Sequence, residues 1–155
     1  MGKISIEIFI QAPIERCFDL SRSVDLHIES ASWTGEIAIA GITKGLMGDS
    51  DVVTWRARHF WIRQELSTQI TIFDRPKHFR DSQTKGVFKR FDHDHYFEPQ
   101  NDGTLVKDVF DFECPLGPVG KLADFFVGRH LEKFLKTRNE LIKKVAESDD
   151  WQSFI

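Results

Sequence analysis

The stretch IFIQAPIERCFDLSRSVDLHIES, residues 8–30, decides the fold, because its pattern changes there from a strand to two short helices. Isoleucine occupies every second position from residue 4 to residue 10, so these side chains share one face of a strand. Pro13 then stands where proline favours the first turn of a helix. Ser23 or Asp25 can cap a second short helix through VDLHIES. The stretch therefore predicts one strand followed by two short helices.

Downstream of this stretch, six strand-like segments alternate with turn residues. A tight turn is expected near Phe60–Trp61, and Asp102-Gly103 is a strong turn signal. The segments are GEIAIAG, VVTWRARHF, IRQELSTQITIF, HFRDSQTKGVF, RFDHDHYFE and LVKDVFDFEC. After PLGPVG, residues 119–147 carry a broad apolar stripe at helical spacing, which predicts a long helix.

Length and charge exclude several classes of protein. A chain of 155 residues is the size of one ordinary domain, and we assign residues 1–147 to it, with 148–155 as a C-terminal tail. The net charge of −3 lacks the basic surplus of a nucleic-acid-binding protein. No segment approaches the roughly 20 apolar residues of a membrane span, and the N-terminus does not have the pattern of a signal peptide. The sequence therefore predicts a cytoplasmic protein without integral membrane association.

The order of elements, β-α-α-β6-α, resembles the helix-grip fold of the SRPBCC superfamily, which includes START lipid-transfer domains, the birch-pollen allergen family and polyketide cyclase-like proteins. The resemblance rests on the opening stretch, on DVVTWRARHF and FKRFDHDHYFE, and on the ending LVKDVFDFECPLGPVGKLAD. The chain looks most similar to a subgroup of small bacterial proteins of the superfamily. The resemblance implies an α+β domain whose curved antiparallel sheet wraps the C-terminal helix. It also implies a cavity between the two for an apolar or amphipathic small molecule, and no metal or cofactor.

Strand alternation sorts the side chains that would face such a cavity. His59 shares a strand face with Trp55, and His93 shares one with His95. The polar groups expected to face inward are His59, Asp81, Lys85, His93 and His95, with Asp108 as a sixth candidate. The predicted ligand contacts are Trp55, His59, Asp81, Gln83, Lys85, His93, His95, Asp108, Phe110 and Phe126. This assignment requires unbroken alternation, since one β-bulge reverses the faces beyond it.

Three interpretations of the inward polar groups stay open. Two histidines at i and i+2 can reach one metal ion, with Asp81, Asp108 or His59 completing the site. A histidine beside an aspartate in a dry pocket can act as a general acid or base, with His95, His93 and Asp81 as the catalytic candidates. The favoured interpretation is a polar wall whose groups orient a bound ligand or simply hydrogen-bond one another. No metal site or cofactor is predicted.

Three other features carry secondary hypotheses. The loop Gly41–Gly48 lacks the ending of a phosphate-binding loop and is interpreted as a flap at the cavity mouth or a simple hairpin. His27 is expected to be a surface histidine, and Cys17 a small core residue. The tail ends in Trp151, Phe154 and Ile155, which would fray, dock on the body or contact another chain, including a second copy in a homodimer.

The sequence therefore predicts a protein that binds a small hydrophobic or amphipathic molecule, lipid- or polyketide-like, between the sheet and the C-terminal helix. One alternative is a cyclase- or dehydratase-type enzyme that uses a histidine–aspartate pair in the same cavity. The other is a non-catalytic interaction module that binds through its C-terminal tail.

Overall fold

The computed structural model describes all 155 residues. One strand is followed by two short helices, six further strands and a long C-terminal helix, as the sequence predicts. The elements are β1 Gly2–Ile10, α1 Ile14–Ser21, α2 Val24–Ser30, β2 Ile37–Gly41, β3 Val52–His59, β4 Ile62–Asp74, β5 His78–Lys85, β6 Arg90–Gln100, β7 Gly103–Glu113 and α3 Gly117–Ala146. No helix is both long enough and apolar enough to cross a membrane.

The strands form one antiparallel sheet in the order β1-β7-β6-β5-β4-β3-β2. Consecutive strands from β2 to β7 are neighbours, and β1 pairs with β7 at the far side. The β3–β4 turn has Phe60 and Trp61 at φ 50° and 61°, the left-handed conformation at both central positions of a two-residue hairpin loop. The helix-grip prediction is confirmed: the curved sheet lies against α3, with α1 and α2 closing one end.

The main core lies where α1 and α2 meet the sheet and the second half of α3. Phe18 of α1 is fully buried, and its ring packs edge-on against three other phenylalanines. One face of the second half of α3 is buried, from Leu135 to Val145, whereas Leu122 and Phe125 in its first half are more than half exposed. The first half of α3 therefore leaves space between itself and the sheet, and this space is the cavity described below.

The C-terminal tail docks on the body of the protein. Trp151 and Phe154 pack against the main core, and the Arg16 guanidinium lies 4.3 Å from the centre of the Trp151 ring. A cation over an aromatic face contributes about 0.5–1 kcal/mol at exposed sites. The tail therefore docks on its own chain, and its contact with another chain stays a prediction.

Candidate functional site

A cavity lies between the inner face of the sheet and α3. Its volume is about 230 Å³, which leaves room for roughly eight water molecules at the volume each occupies in the liquid. Of the 33 residues that line it, 18 are hydrophobic, so the wall is mostly apolar. Aromatic rings supply much of this surface, from Trp55 on β3 to Phe91 on β6, Phe110 on β7 and Phe134 on α3.

A polar cluster lies at one wall of the cavity, and we call it the buried quartet: Asp81, His93, His95 and Asp108. Both histidines and Asp108 are buried, and Asp81 is partly exposed. Strand register brings it together, because Asp81 on β5 pairs with His93 on β6, and His95 on β6 pairs with Asp108 on β7. Period-two alternation keeps both histidines on the inner face. Four polar side chains from three adjacent strands therefore converge inside an apolar surround.

The contacts within the buried quartet are short. His95 Nε2 donates to Asp81 Oδ2 over 2.9 Å, and His93 Nε2 donates to Asp108 Oδ1 over 2.8 Å. His95 Nδ1 lies 2.9 Å from Asp108 Oδ1, but at an angle outside hydrogen-bond range, so these two groups attract chiefly as charges. His93 Nδ1 is 3.8 Å from Asp81 Oδ2. Each histidine therefore has one ring nitrogen towards Asp108 and the other towards Asp81.

Helix α3 supports the quartet from behind. Asp108 is fully buried, and its Oδ2 accepts a hydrogen bond from Asn139 Nδ2 at 2.5 Å. Arg138 Nη1 lies 3.8 Å from Asp108 Oδ1, and its Nη2 donates to the Ser21 carbonyl over 2.7 Å. A buried charge is costly unless it is paired and hydrogen-bonded. Asp108 meets both conditions, and its partners tie the sheet to the helix.

The environment shifts the pKa values of the quartet in different directions. Burial lowers the pKa of His95, but the Asp108 and Asp81 carboxylates outweigh it and hold that pKa above its ordinary value. Burial and the neighbouring His95 charge lower the pKa of His93. Burial alone would raise the pKa values of Asp81 and Asp108, but the histidines hold both below their ordinary value. The surrounding charges thus favour a proton on His95 more than on His93.

A second polar cluster, the mouth cluster, lies near the β3–β4 turn and consists of His27, Glu36, His59 and His130. His27 Nε2 donates to Glu36 Oε1, and His59 Nδ1 and His130 Nε2 are hydrogen-bonded at 2.8 Å. Burial opposes the ionisation of Glu36, but His27 and His59 prevail and lower its pKa to about 2. His27 is thus paired with Glu36 and His59 with His130, and the four side chains do not converge on one point.

The structure places six of the ten predicted ligand contacts on the cavity wall: Trp55, His59, Asp81, His93, His95 and Phe110. Asp108 faces inward as predicted, but it lies behind the two histidine rings instead of on the wall. Phe126 is 58% exposed, because the lining face of α3 runs through Val127 and Leu131.

The predicted inward orientation of Lys85 is wrong, and a β-bulge is the reason. Ser67 pairs with Lys85 while Thr68 pairs with Gln83, so Thr84 is an extra residue and the alternation reverses there. Lys85 is consequently exposed. Gln83 stays on the inner side, but its amide is hydrogen-bonded to the backbone of Phe88 and does not line the cavity.

Sequence reasoning missed several lining residues. The sequence predicts His27 at the surface, but its ring lies 4.2 Å from that of Trp55, and it lines the cavity with Glu36 and His130. Arg138 was also missed, although it interrupts the buried stripe of α3 between Leu135 and Ile142. A charged residue on a buried helical stripe needs a partner, and this was the available signal.

The loop between β2 and β3 closes one end of the cavity. Gly45 N donates to Asp25 Oδ2 over 2.8 Å, and the Met47 backbone is bonded to Arg22 in both directions. The Met47 side chain is buried and lines the cavity. The loop is thus attached to α2 and to the residues before it.

Comparisons with solved structures show the fold. The protein TTHA0849 from Thermus thermophilus superposes with a TM-score of 0.75 at 16% identity, covering 92% of this chain and 95% of that one. A START superfamily protein from Mycobacterium smegmatis gives 0.69 at 13% identity, covering 94% and 99%. Ginseng major latex-like protein 151 from Panax ginseng gives 0.65 at 15% identity, covering 95% and 98%. No family model and no curated protein matches the sequence. At these identities the likeness establishes the helix-grip fold and nothing about activity.

Proposed function

We propose that this protein binds a small hydrophobic or amphipathic molecule, lipid- or polyketide-like, in the cavity between the sheet and α3. The observation that carries the proposal is the cavity itself: about 230 Å³, mostly apolar, with polar groups gathered on one wall. Ligand sites in proteins have this composition, an apolar surround and a few convergent polar groups that fix orientation. The resemblance to START and major latex-like folds agrees with this use of the space.

The buried quartet determines the orientation of the ligand in the cavity. Asp81 presents a carboxylate acceptor to the cavity, so a hydroxyl group of a ligand can donate a hydrogen bond to it. Phe79 stacks on His95 with ring centres 4.1 Å apart, which fixes the imidazole in place. Asp108 and Asn139 support this wall from behind, and Arg138 lines the cavity within 3.8 Å of Asp108. We therefore infer that the polar end of the ligand contacts Asp81 and that the rings enclose its apolar body.

A cavity-filling substitution tests the proposal. Ala57 is 7% exposed and lines the cavity, so Ala57→Trp places an indole in the space that the ligand would use. The matched control, Ala40→Trp, adds the same ring at an exposed position of β2. Anilinonaphthalene sulfonate fluorescence and native mass spectrometry with a medium-chain fatty alcohol measure binding. We expect binding by the wild type and the control but not by Ala57→Trp. Equal binding by all three would refute the proposal.

The polar wall has its own test. If the histidines and Asp81 orient the ligand, His93→Ala and His95→Ala weaken the affinity for the fatty alcohol more than for the corresponding alkane. Unchanged affinity for the alcohol in both variants would show that the groups of the quartet only hydrogen-bond one another and do not contact the ligand. Circular dichroism of each variant confirms that the fold is retained.

A second candidate function, acid–base catalysis, is favoured by one observation. Two histidines with oppositely shifted pKa values lie against carboxylates at the wall of a mostly apolar cavity. Groups of this kind mark catalytic sites, although structural networks also produce them. A cyclase or dehydratase would lose turnover of a polyketide-like substrate in His95→Ala and Asp81→Asn while the fold survives. Turnover that persists in both variants would exclude this mechanism.

A further inference from the structure

We propose that Asp81, His93 and His95 bind a divalent first-row transition-metal ion at the polar wall of the cavity. Each residue presents one ligand atom, and the three atoms lie within 4.8 Å of one another. The proposal goes beyond ligand binding, because a metal site requires no organic molecule and is tested without one.

The spacing of the three atoms suits an ion. Asp81 Oδ2 lies 2.9 Å from His95 Nε2 and 3.8 Å from His93 Nδ1. Metal–nitrogen and metal–oxygen bonds of about 2.0–2.1 Å place neighbouring ligand atoms about 2.9 Å apart in an octahedron and about 3.4 Å apart in a tetrahedron. The two observed separations lie on either side of the tetrahedral value, so a tetrahedral site requires changes of about 0.4–0.5 Å in these two distances. The remaining pair of ligand atoms, on His93 and His95, lies within 4.8 Å and closes around the ion as it binds.

Asp108 is positioned to contact both histidine ligands of such a site without binding the ion itself. Histidine ligands of metals commonly turn their second ring nitrogen to a carboxylate, which fixes the tautomer and the ring orientation. His93 Nε2 donates to Asp108 Oδ1, so in the neutral ring the lone pair is on Nδ1, the atom nearer Asp81. His95 Nδ1 also faces Asp108 Oδ1, which leaves Nε2 for the ion. One fully buried carboxylate therefore serves both rings.

The site has access and open coordination positions. All three ligand residues line the cavity, and three protein ligands leave at least one position for water or for an oxygen of a bound molecule. Two imidazoles and one carboxylate suit zinc and ferrous iron better than calcium or magnesium. When the ion binds, it replaces the proton on His95 Nε2 that is shared with Asp81 Oδ2, and that proton passes to solvent.

The mouth cluster provides an internal contrast. It has three histidines and a carboxylate in the same cavity, yet His27 is bonded to Glu36 and His59 to His130. His59 Nε2 is 3.8 Å from Glu36 Oε2, and no third donor converges with them. Histidines and a carboxylate lying near one another therefore do not suffice for a metal site. Glu36 of this cluster is a suitable control position for the substitution of Asp81.

The experiment uses full-length protein without a histidine tag, stripped with a chelator and titrated with Zn²⁺ and Co²⁺ in a calorimeter. Elemental analysis after dialysis counts the bound ions. We expect one ion per chain for the wild type, and a loss of affinity in Asp81→Asn greater than the ~100-fold that removal of an outer partner can cost. Glu36→Gln, the matched carboxylate-to-amide control, should bind as the wild type does. Co²⁺ bound through imidazole nitrogen should also show visible absorption that His93→Gln abolishes.

Three results would overturn the proposal: no stoichiometric uptake by the wild type, uptake retained by Asp81→Asn, or uptake lost in Glu36→Gln. Asp81 is partly exposed to the cavity, so an amide of the same shape should fold, and circular dichroism verifies this. Dye binding measured on the same samples separates the two proposals. Dye binding without metal uptake refutes the metal site alone, and metal uptake without dye binding refutes the proposed ligand function alone.

Discussion

The substitution Asp108→Asn tests whether the buried quartet holds the sheet to α3. All four groups around this carboxylate are donors or cations: His93, His95, Asn139 and Arg138. An asparagine keeps the shape, but it removes the charge and places an amide N–H₂ against one of these donors. The positive charge of Arg138 then remains buried with its nearest carboxylate gone.

The expected loss is large for a single isosteric change. Removing one partner of a buried ion pair costs about 3–5 kcal/mol. For a chain of this size each kcal/mol lowers the melting temperature by about 2–4 °C, so the transition should fall by roughly 6–20 °C. Differential scanning calorimetry and guanidinium unfolding near neutral pH measure the two quantities independently.

Asp111→Asn is the matched control, with the same chemical change on the same strand but on the opposite face. The Asp111 carboxylate lies 3.7 Å from the exposed Lys3 ammonium, and a surface pair of this kind contributes about 0–1 kcal/mol. We expect the two variants to differ by several kcal/mol. A loss below about 1 kcal/mol in Asp108→Asn, or equal losses in both, would contradict the account of the quartet.

Three further predictions concern stability at low pH, the reactivity of the two cysteines and the C-terminal tail. Glu36 has a folded-state pKa of about 2 against an ordinary 4.5, so its stabilisation is present above the ordinary value and is lost as pH falls towards 2. This pKa difference corresponds to at most roughly 3 kcal/mol of stability. Melting temperature should therefore fall less steeply between pH 4.5 and 2 in Glu36→Gln than in the wild type. Equal slopes in the two proteins would refute this prediction. Burial raises the pKa values of Cys17 and Cys114 to about 11. Both thiols should therefore react with a disulfide reagent slowly in the native protein and fully in guanidinium, and rapid native reaction would show that the burial is wrong. Deleting residues 148–155 removes the packed Trp151 and should lower stability by about 1–3 kcal/mol without changing the number of chains per particle measured by light scattering. A changed number of chains would instead identify the tail as an interface.

The order of elements could be predicted because each signal was local. The isoleucine alternation defines β1, Pro13 precedes α1, and the Phe60–Trp61 turn joins two strands of matching period. Histidines at i and i+2 of one strand must share a face, so the sequence alone suffices to place His93 and His95 together.

The parts of the site that could not be predicted from the sequence depend on how strands pair with one another and how α3 packs on the sheet. The β4–β5 pairing contains two bulges, at Thr71 and Thr84, and neither residue carries a distinctive bulge signal. The second bulge reversed the predicted orientation of Lys85. Arg138 and Asn139 reach Asp108 only because α3 crosses the sheet at that point. These are tertiary contacts, which a pattern along one strand or helix does not encode.

The proposal that the cavity binds a ligand is tested most directly by NMR titration of isotope-labelled protein with a medium-chain fatty alcohol. Our account predicts saturable shifts centred on cavity-lining groups such as Trp55, Ala57 and His95, with little change at outer-face residues such as Arg56 and Tyr96. Shifts confined to the exposed Trp61 turn or to Phe125, or no shifts at all, would contradict it.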